Sequence, residues 1–118
     1  MHVEQVDFIT VPTRDAGKAR TFYTEVLGLP ASQQSDAEVE APNVTLSFWN
    51  PETQGEQFVA NQAGFALRVE DVEGAVEEVR AAGGEIMGTV DTGVCHMGFV
   101  KDPDGNTVIL HRRYAPRG

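Results

Sequence analysis

The chain has 118 residues, which favours one domain, or two small modules sharing a core, and is enough to bury that core without disulfides. Eighteen acidic residues against nine lysines and arginines give a formal net charge of −9, which argues against nucleic acid and anionic membranes as partners. A single cysteine, Cys95, excludes an internal disulfide, and no apolar run approaches the ~20 residues of a membrane span. The polar, acidic N-terminus does not resemble a signal peptide, so a cytoplasmic protein is expected.

The first quarter of the chain predicts a strand followed by a helix. Val6–Val11 alternates and contains β-branched residues, as strands do. Asp15 is placed to cap a helix over about 16–26, and Gly28 is placed to end it.

The next third carries weaker signals. Residues 31–42 are compatible with two short strands, and Val44–Trp49 predicts a clear one. The polar, turn-rich stretch 50–63 predicts a linker, with a short edge strand near Phe58–Val59.

The second half predicts the same order of elements again. Phe65–Val69 indicates a strand, Asp71 is placed to cap a helix over about 72–82, and Gly83 with Gly84 ends it. Three more strands follow, over Glu85–Met87, Val94–Lys101 and Asn106–Arg113, the last two joined by the turn sequence Asp102-Pro103-Asp104-Gly105.

The two halves repeat at an offset of 56 positions, which aligns Asp15 with Asp71. At that offset Ile9, Val11 and Ala19 also align with apolar residues of the second half. The sequence therefore predicts an α+β protein built from two strand-helix-strand-strand-strand modules.

Three motifs carry a resemblance to a known family. They are Arg14-Asp15 with Phe22–Leu29, then Val69–Val72 leading into Val79–Gly84, and then Lys101–Asn106. In this order and at these spacings the chain resembles the vicinal oxygen chelate superfamily, the glyoxalase, bleomycin-resistance and extradiol dioxygenase group. The motifs span nearly the whole sequence.

The resemblance implies a single domain over 1–118, made of module 1 (about 1–58) and module 2 (about 63–118). Its two tandem βαβββ modules would form a cupped mixed sheet of about eight strands, with helices on the convex face and a ligand cavity on the concave face. Members usually form homodimers, and those that use a metal bind one divalent ion through His and Glu side chains.

The metal positions that the resemblance implies hold no donor side chains. Counting back seven residues from Asp15 and from Asp71 reaches Phe8 and Gly64, and the usual Glu after the Asp-Pro-Asp-Gly-Asn motif falls on Ile109. A divalent ion needs oxygen, nitrogen or sulfur donors, so no metal is predicted at the usual site, and any ion would need a non-standard one.

Strand parity indicates which residues face the expected cavity. The mixed composition of that face, with few charges, is typical of a small-molecule pocket. Phe8 and Trp49 either stack on a flat ligand or fill the concave centre of the sheet or a dimer interface. Arg68 either binds an anion or pairs with Glu70. The predicted ligand-binding residues are Phe8, Thr10, Ser47, Trp49, Arg68, Ile109 and His111.

The histidines are the candidate catalytic residues. If the last hairpin pairs Lys101 with Asn106, His96 lies opposite His111, where two imidazoles can act as an acid/base pair or hold a displaced metal. The alternatives are a solvent-exposed rim or a register that separates them. Cys95 is expected to be a buried thiol, and the basic segment Arg112–Arg117 a flexible terminus.

Three functional hypotheses follow. The first is metal-free binding of a small organic molecule, of the sequestration or resistance type. The second is a lyase, isomerase or dioxygenase of the same superfamily that uses His96 and His111. The third is a structural or regulatory partner whose concave face is covered by another chain.

Overall fold

The computed structural model describes residues 1–116. The chain divides into two compact units, Met1–Ala60 and a second that begins at Asn61. Each unit has one sheet and one α-helix, so the predicted α+β class is confirmed. In chain order the elements are β1 (Phe8–Pro12), α1 (Ala16–Thr21), β2 (Glu38–Glu40), β3 (Thr45–Trp49), β4 (Phe65–Arg68), α2 (Val72–Ala81), β5 (Glu85–Asp91), β6 (Cys95–Lys101) and β7 (Thr107–Arg113).

The first unit is a three-stranded sheet of order β1-β3-β2, in which β1 runs parallel to β3 and β2 antiparallel to it. Asp15 caps α1 by accepting a hydrogen bond from the Lys18 N–H at 3.1 Å. The helix continues as a π-helical turn over Phe22–Val26. The ring of Tyr23 in this turn packs against Phe48 of β3, with the ring centroids 5.2 Å apart. The buried apolar residues of this unit are Val11, Ala19, Phe22, Tyr23, Val39, Leu46, Phe48 and Phe58.

The second unit is a four-stranded sheet of order β4-β7-β6-β5, with β4 parallel to β7 and the other pairs antiparallel. Asp71 caps α2 by accepting from the Gly74 N–H at 3.1 Å. The helix covers one face of the sheet, because its buried residues, Val72, Val76 and Val79, lie at helical spacing on one side. Gly98 of β6 faces Val76, where a Cβ would come within 2.5 Å of the valine side chain.

The topology confirms the tandem modules. In each unit the first strand lies at one edge and runs parallel to the last strand of that unit. In the first unit the strand that would precede β2 is reduced to a single bridge between Ala31 and Val39. The single domain, the cup and its cavity involve both units together and stay predictions.

Several predicted boundaries are wrong. Residues 1–116 contain seven strands rather than about eight, and none forms near Phe58–Val59. Strand β5 extends to Asp91 instead of ending at Met87, because it pairs with β6 along its length. The basic segment is not a free terminus up to Pro116, since Arg112 and Arg113 belong to β7, while Arg117 lies outside the described residues. Within the described chain, no helix has the length and apolar character to span a bilayer.

A buried hydrogen-bond network fixes the turn between β6 and β7. The carboxylate of Asp102 accepts from the backbone N–H groups of Asp104 and Asn106 and from the Asn106 side-chain amide, at 2.8–2.9 Å. The Asn106 Oδ1 in turn accepts from the Asn61 N–H at 2.8 Å, and the Thr107 N–H donates to the Asn61 carbonyl at 2.9 Å. The network therefore ties the start of β7 to the segment before β4.

We expect Asn106→Ala to lower the free energy of unfolding by about 2–3 kcal/mol, because it removes a bond to a buried carboxylate and leaves the Asn61 N–H without an acceptor. Urea unfolding measures the change. Asn43→Ala, in an exposed loop of the first unit, is the matched control and should change it by less than about 0.5 kcal/mol. Equal losses in the two variants would contradict this role of Asn106.

Candidate functional site

The predicted site residues of the first unit share one sheet face. The register pairs Phe8 with Thr45 and Thr10 with Ser47, and Trp49 lies two residues beyond Ser47 on the same side. Phe8 is 58% exposed and Trp49 is 39% exposed, so this face presents two aromatic rings flanked by hydroxyl groups.

Two glutamates that the sequence reasoning missed also lie on this face. Glu38 pairs with Ser47 and Glu40 with Thr45, and the Thr45 hydroxyl donates to the Glu40 carboxylate at 2.7 Å. The sequence predicted only two short strands within 31–42, and these were too short to assign a register that would place the glutamates. A groove of about 610 Å³ lies nearby, between the N-terminal segment and the turn before β3.

The predicted site residues of the second unit likewise share one face. Arg68 of β4 is the register partner of His111 of β7, and Ala66 is the partner of Ile109. On the other side of β7, Ile109 pairs with Phe99 and His111 with Met97. This face is opposite to the one that α2 covers, because Gly98, which faces α2, alternates with Met97 and Phe99.

Arg68 is the only cation that the sequence places on this face, and the structure shows that this prediction is wrong. Arg113 follows His111 by two residues along β7, and Lys101 pairs with Thr107, so both share the face. The alternative in which Arg68 pairs with Glu70 is also wrong, since no ion pair joins Arg68 to any of residues 1–116. A pocket of about 230 Å³ lies here, lined by Arg68, His111, Arg112, Arg113 and Ala115.

The three positions that the resemblance assigns to a metal carry no donor side chain. Phe8 presents an exposed phenyl ring and Ile109 a half-buried alkyl chain, neither of which has a lone pair to donate. Gly64 offers no side chain at all. Within residues 1–116, no group of three or more His, Cys, Asp or Glu residues is arranged to hold an ion.

At Gly64 the backbone conformation also leaves no room for a side chain. Gly64 has a φ of +79°, and a Cβ built on it would lie 2.6 Å from the Thr107 carbonyl oxygen. Its N–H donates to the Asn61 side chain at 3.2 Å, which holds it in this conformation. A ligating side chain at Gly64 therefore requires the backbone to move.

Of the alternatives for His96 and His111, the structure confirms a register that separates them, and the opposed pair is wrong. Lys101 pairs with Thr107 and not with Asn106, because the Asn106 carbonyl accepts the hydrogen bond from the Asp102 N–H that closes the turn. The register is therefore shifted by one residue. His96 consequently lies opposite Arg112, and His111 lies on the other face of the sheet. The two imidazoles cannot act on one substrate as a directly opposed pair. Cys95 is buried, as predicted.

His96 belongs instead to a separate exposed cluster on the β5–β6 hairpin. Its Nε2 lies 3.1 Å from Asp91 Oδ2, and the Tyr114 hydroxyl donates to Asp91 Oδ1 at 2.8 Å. Hydrogen bonds from the Gly93 N–H and then from the Tyr114 hydroxyl lower the pKa of Asp91, and the Asp91 carboxylate raises the pKa of Tyr114. This cluster attaches the end of the described chain to the hairpin.

We expect Gly64→Ala to destabilise the fold more than Gly83→Ala, by about 1 kcal/mol or more. Both glycines have positive φ, of +79° and +83°, but only Gly64 has atoms within 4 Å of the added Cβ. The difference between the two free energies of unfolding isolates the contact with Thr107. Equal losses would contradict the closure of this position.

We expect Tyr114→Phe to raise the pKa of Asp91 towards its ordinary value of 3.8, since it removes a hydroxyl donor. A lowered carboxyl pKa stabilises the fold above that ordinary value, and this stabilisation is lost as the pH falls through the folded-state pKa. The variant should therefore show less pH dependence of stability in the region below about pH 3.8. Carbon NMR titration of the Asp91 carboxyl measures the pKa directly. His96→Gln should raise it less than Tyr114→Phe, and the reverse order would contradict the assignment.

Comparison with known proteins gives relatives of two kinds. Curated sequences named lactoylglutathione lyase include one from Arabidopsis thaliana, 32% identical and matching 84% of this chain, and a probable one from Vibrio parahaemolyticus, 29% identical and matching 81% of each chain. The match spans only 41% of the plant protein's length. Among solved structures, TnmS3, an antibiotic binding protein from a Streptomyces species, aligns with a TM-score of 0.75 at 25% identity, covering 96% of this chain and 98% of that one.

A family model described as Glyoxalase/Bleomycin resistance protein/Dioxygenase superfamily matches residues 5–110. This range contains every strand and helix up to β6 and residues 107–110 of β7, and therefore most of both units of the fold. The chain belongs to the glyoxalase/bleomycin resistance protein/dioxygenase superfamily.

Proposed function

We propose that this chain binds a small organic molecule without a metal at the usual superfamily site, as a sequestration or resistance protein does. The observation that carries the proposal is the donor set: a phenyl ring at Phe8, no side chain at Gly64 and an alkyl chain at Ile109. A binding protein needs none of the lost metal ligands, whereas the superfamily's metal chemistry needs all of them.

The exposed faces of the two sheets support binding. Phe8 and Trp49 offer aromatic surface for a flat ligand, and Thr10 and Ser47 add hydroxyl groups beside them. In the second unit, Ile109 supplies apolar surface next to Arg68 and His111. A few polar groups set among apolar ones are typical of small-molecule sites.

The similarity to TnmS3 also supports this function, because that protein is named as an antibiotic binding protein. We extend to this chain only the class of activity, the binding of an organic compound. A homodimer and a cytoplasmic location, both expected from the sequence and the resemblance, belong to the same proposal.

A lyase is the second candidate, favoured by the names of the curated relatives. Such an enzyme would need a general base or a displaced metal, for which His111 is the remaining histidine on the pocket face. His96 would not contribute to it, since it lies on the other face and contacts Asp91 and Tyr114.

The test begins with protein purified without chelators. We expect no stoichiometric metal, no change of Tm with Ni²⁺, Zn²⁺ or Mn²⁺, and saturable quenching of the single tryptophan, Trp49, by members of a library of small aromatic compounds. Calorimetry should show that Phe8→Ala weakens these compounds about three- to tenfold, as loss of ring stacking predicts.

The control for this experiment is Val59→Ala, which removes an exposed apolar side chain outside the strands and should leave affinity unchanged. Tightly bound stoichiometric metal that His111→Ala removes would refute the proposal in favour of the lyase. Absence of binding by any compound of the library would also count against it.

A further inference from the structure

The pocket at the end of β4 and β7 concentrates positive charge in an acidic protein. Its lining includes Arg68, Arg113 and His111 on one sheet face, together with Arg112, whose side chain alternates to the other face, whereas the chain as a whole has a formal charge of −9. None of Arg68, Arg112 and Arg113 forms an ion pair within residues 1–116. Cations brought together without a counter-charge repel one another, so the arrangement is favoured when an anion occupies the space between them.

The backbone fixes two of these cations beside the histidine. Arg68 and His111 are register partners on neighbouring parallel strands, and Arg113 lies two residues along β7 on the same face. Residue Val69 donates its N–H to the His111 carbonyl at 3.0 Å, which extends the pairing past the end of β4. The positions of these side chains therefore follow from the sheet and not from a loose terminus.

Arg113 has an unsatisfied donor. Its Nε is buried and has no hydrogen-bond partner, while its terminal nitrogen donates to the Pro116 carbonyl at 3.2 Å. A buried N–H without an acceptor costs free energy, which the Arg113 side chain would recover by turning this donor toward an oxyanion in the pocket. A guanidinium offers paired donors whose spacing matches the oxygens of a carboxylate or a phosphate.

We infer that this pocket binds the oxyanion group, carboxylate or phosphate, of the organic ligand, with Arg68 and Arg113 as its binding residues. The inference rests on the proposed function and adds the chemical class of the ligand to it. A volume of about 230 Å³ is sufficient for such a group and too small for a drug-sized molecule. The rest of the ligand would lie outside the pocket.

The test uses NMR titration of the full chain with three probes, benzoate, inorganic phosphate and the neutral benzamide, at constant ionic strength set with potassium chloride. We expect saturable shifts of the backbone amides of Arg68 and of residues 111–115 with benzoate or phosphate, and at least tenfold weaker shifts with benzamide. Benzoate and phosphate distinguish a planar from a tetrahedral anion, and either one alone supports the inference.

Arg68→Gln and Arg113→Gln should each weaken binding about tenfold or more, because each removes a charged pair of donors. Arg80→Gln is the matched control, with the same change of charge on the exposed side of α2, where Arg80 pairs with Glu77, and it should leave affinity unchanged. Arg68→Lys keeps the charge but not the planar fork and should be intermediate. Thermal unfolding of each variant verifies that it folds.

Three outcomes would overturn the inference: equal binding of benzoate and benzamide, equal loss in Arg80→Gln, or no saturable shift with either anion. The first would leave the proposed function intact, because the neutral compound would still bind. If neutral aromatic compounds quench Trp49 while the backbone amides of Arg68 and of residues 111–115 do not shift with benzoate or phosphate, only the anion site is refuted.

Discussion

The geometry of the second unit depends on how the start of β7 is held against the chain before β4. The Thr107 N–H donates a hydrogen bond to the Asn61 carbonyl, and the Asn106 side chain accepts one from the Asn61 N–H. These bonds act where β4 is about to begin, so they set which residue of β4 meets which residue of β7. The register begins with Phe65 opposite Val108, and three residues further along both strands it places Arg68 beside His111. A buried turn thus determines the composition of a pocket at the opposite end of the strands.

The two units differ at the positions that the resemblance assigns to a metal ligand. In the first unit the obstacle is chemical only, because Phe8 has an exposed side chain but no donor atom. In the second unit the obstacle is also steric. Asn61 holds Gly64 in a left-handed conformation against the Thr107 carbonyl, and a side chain there would disturb the pairing of β7. Placing a donor side chain at Phe8 needs only a substitution, whereas placing one at Gly64 also needs a new backbone conformation.

The contrast between what the sequence predicted and what it missed has one physical origin. Faces within a strand depend only on the alternation of side chains, so the shared faces of Thr10 with Phe8 and of Ile109 with His111 were accessible from the sequence. Pairing across a hairpin depends in addition on how many residues the turn consumes. Asn106 reads as the first residue of a strand, but its side chain binds Asp102 and its carbonyl closes the turn.

Asn106 therefore decides how the two histidines lie relative to each other. When the register between β6 and β7 shifts by one residue, His96 lies opposite Arg112 instead of His111. The two histidines then lie on opposite faces of the sheet. Arg113 lies within the predicted strand Asn106–Arg113, so alternation alone places it on the face of His111. Its role was missed because the basic segment Arg112–Arg117 was also interpreted as a flexible terminus. Buried polar turns of this kind need tertiary partners, here Asn61, that lie 45 residues away in sequence.

The net charge of the chain does not prevent anion binding in the pocket. The acidic residues of α2 belong to the helix that covers the other face of the sheet, and most of them are exposed to solvent. At physiological ionic strength, charges in solvent are screened over about 8 Å, so their repulsion of an anion falls off before it reaches a partly enclosed site. Contacts of Arg68 and Arg113 with an anion would be screened less, because the pocket excludes part of the solvent. The acidic surface would then reduce non-specific attraction of anions to the protein while leaving the local contacts intact, which favours selectivity for a ligand that can also use the apolar surface beside the pocket.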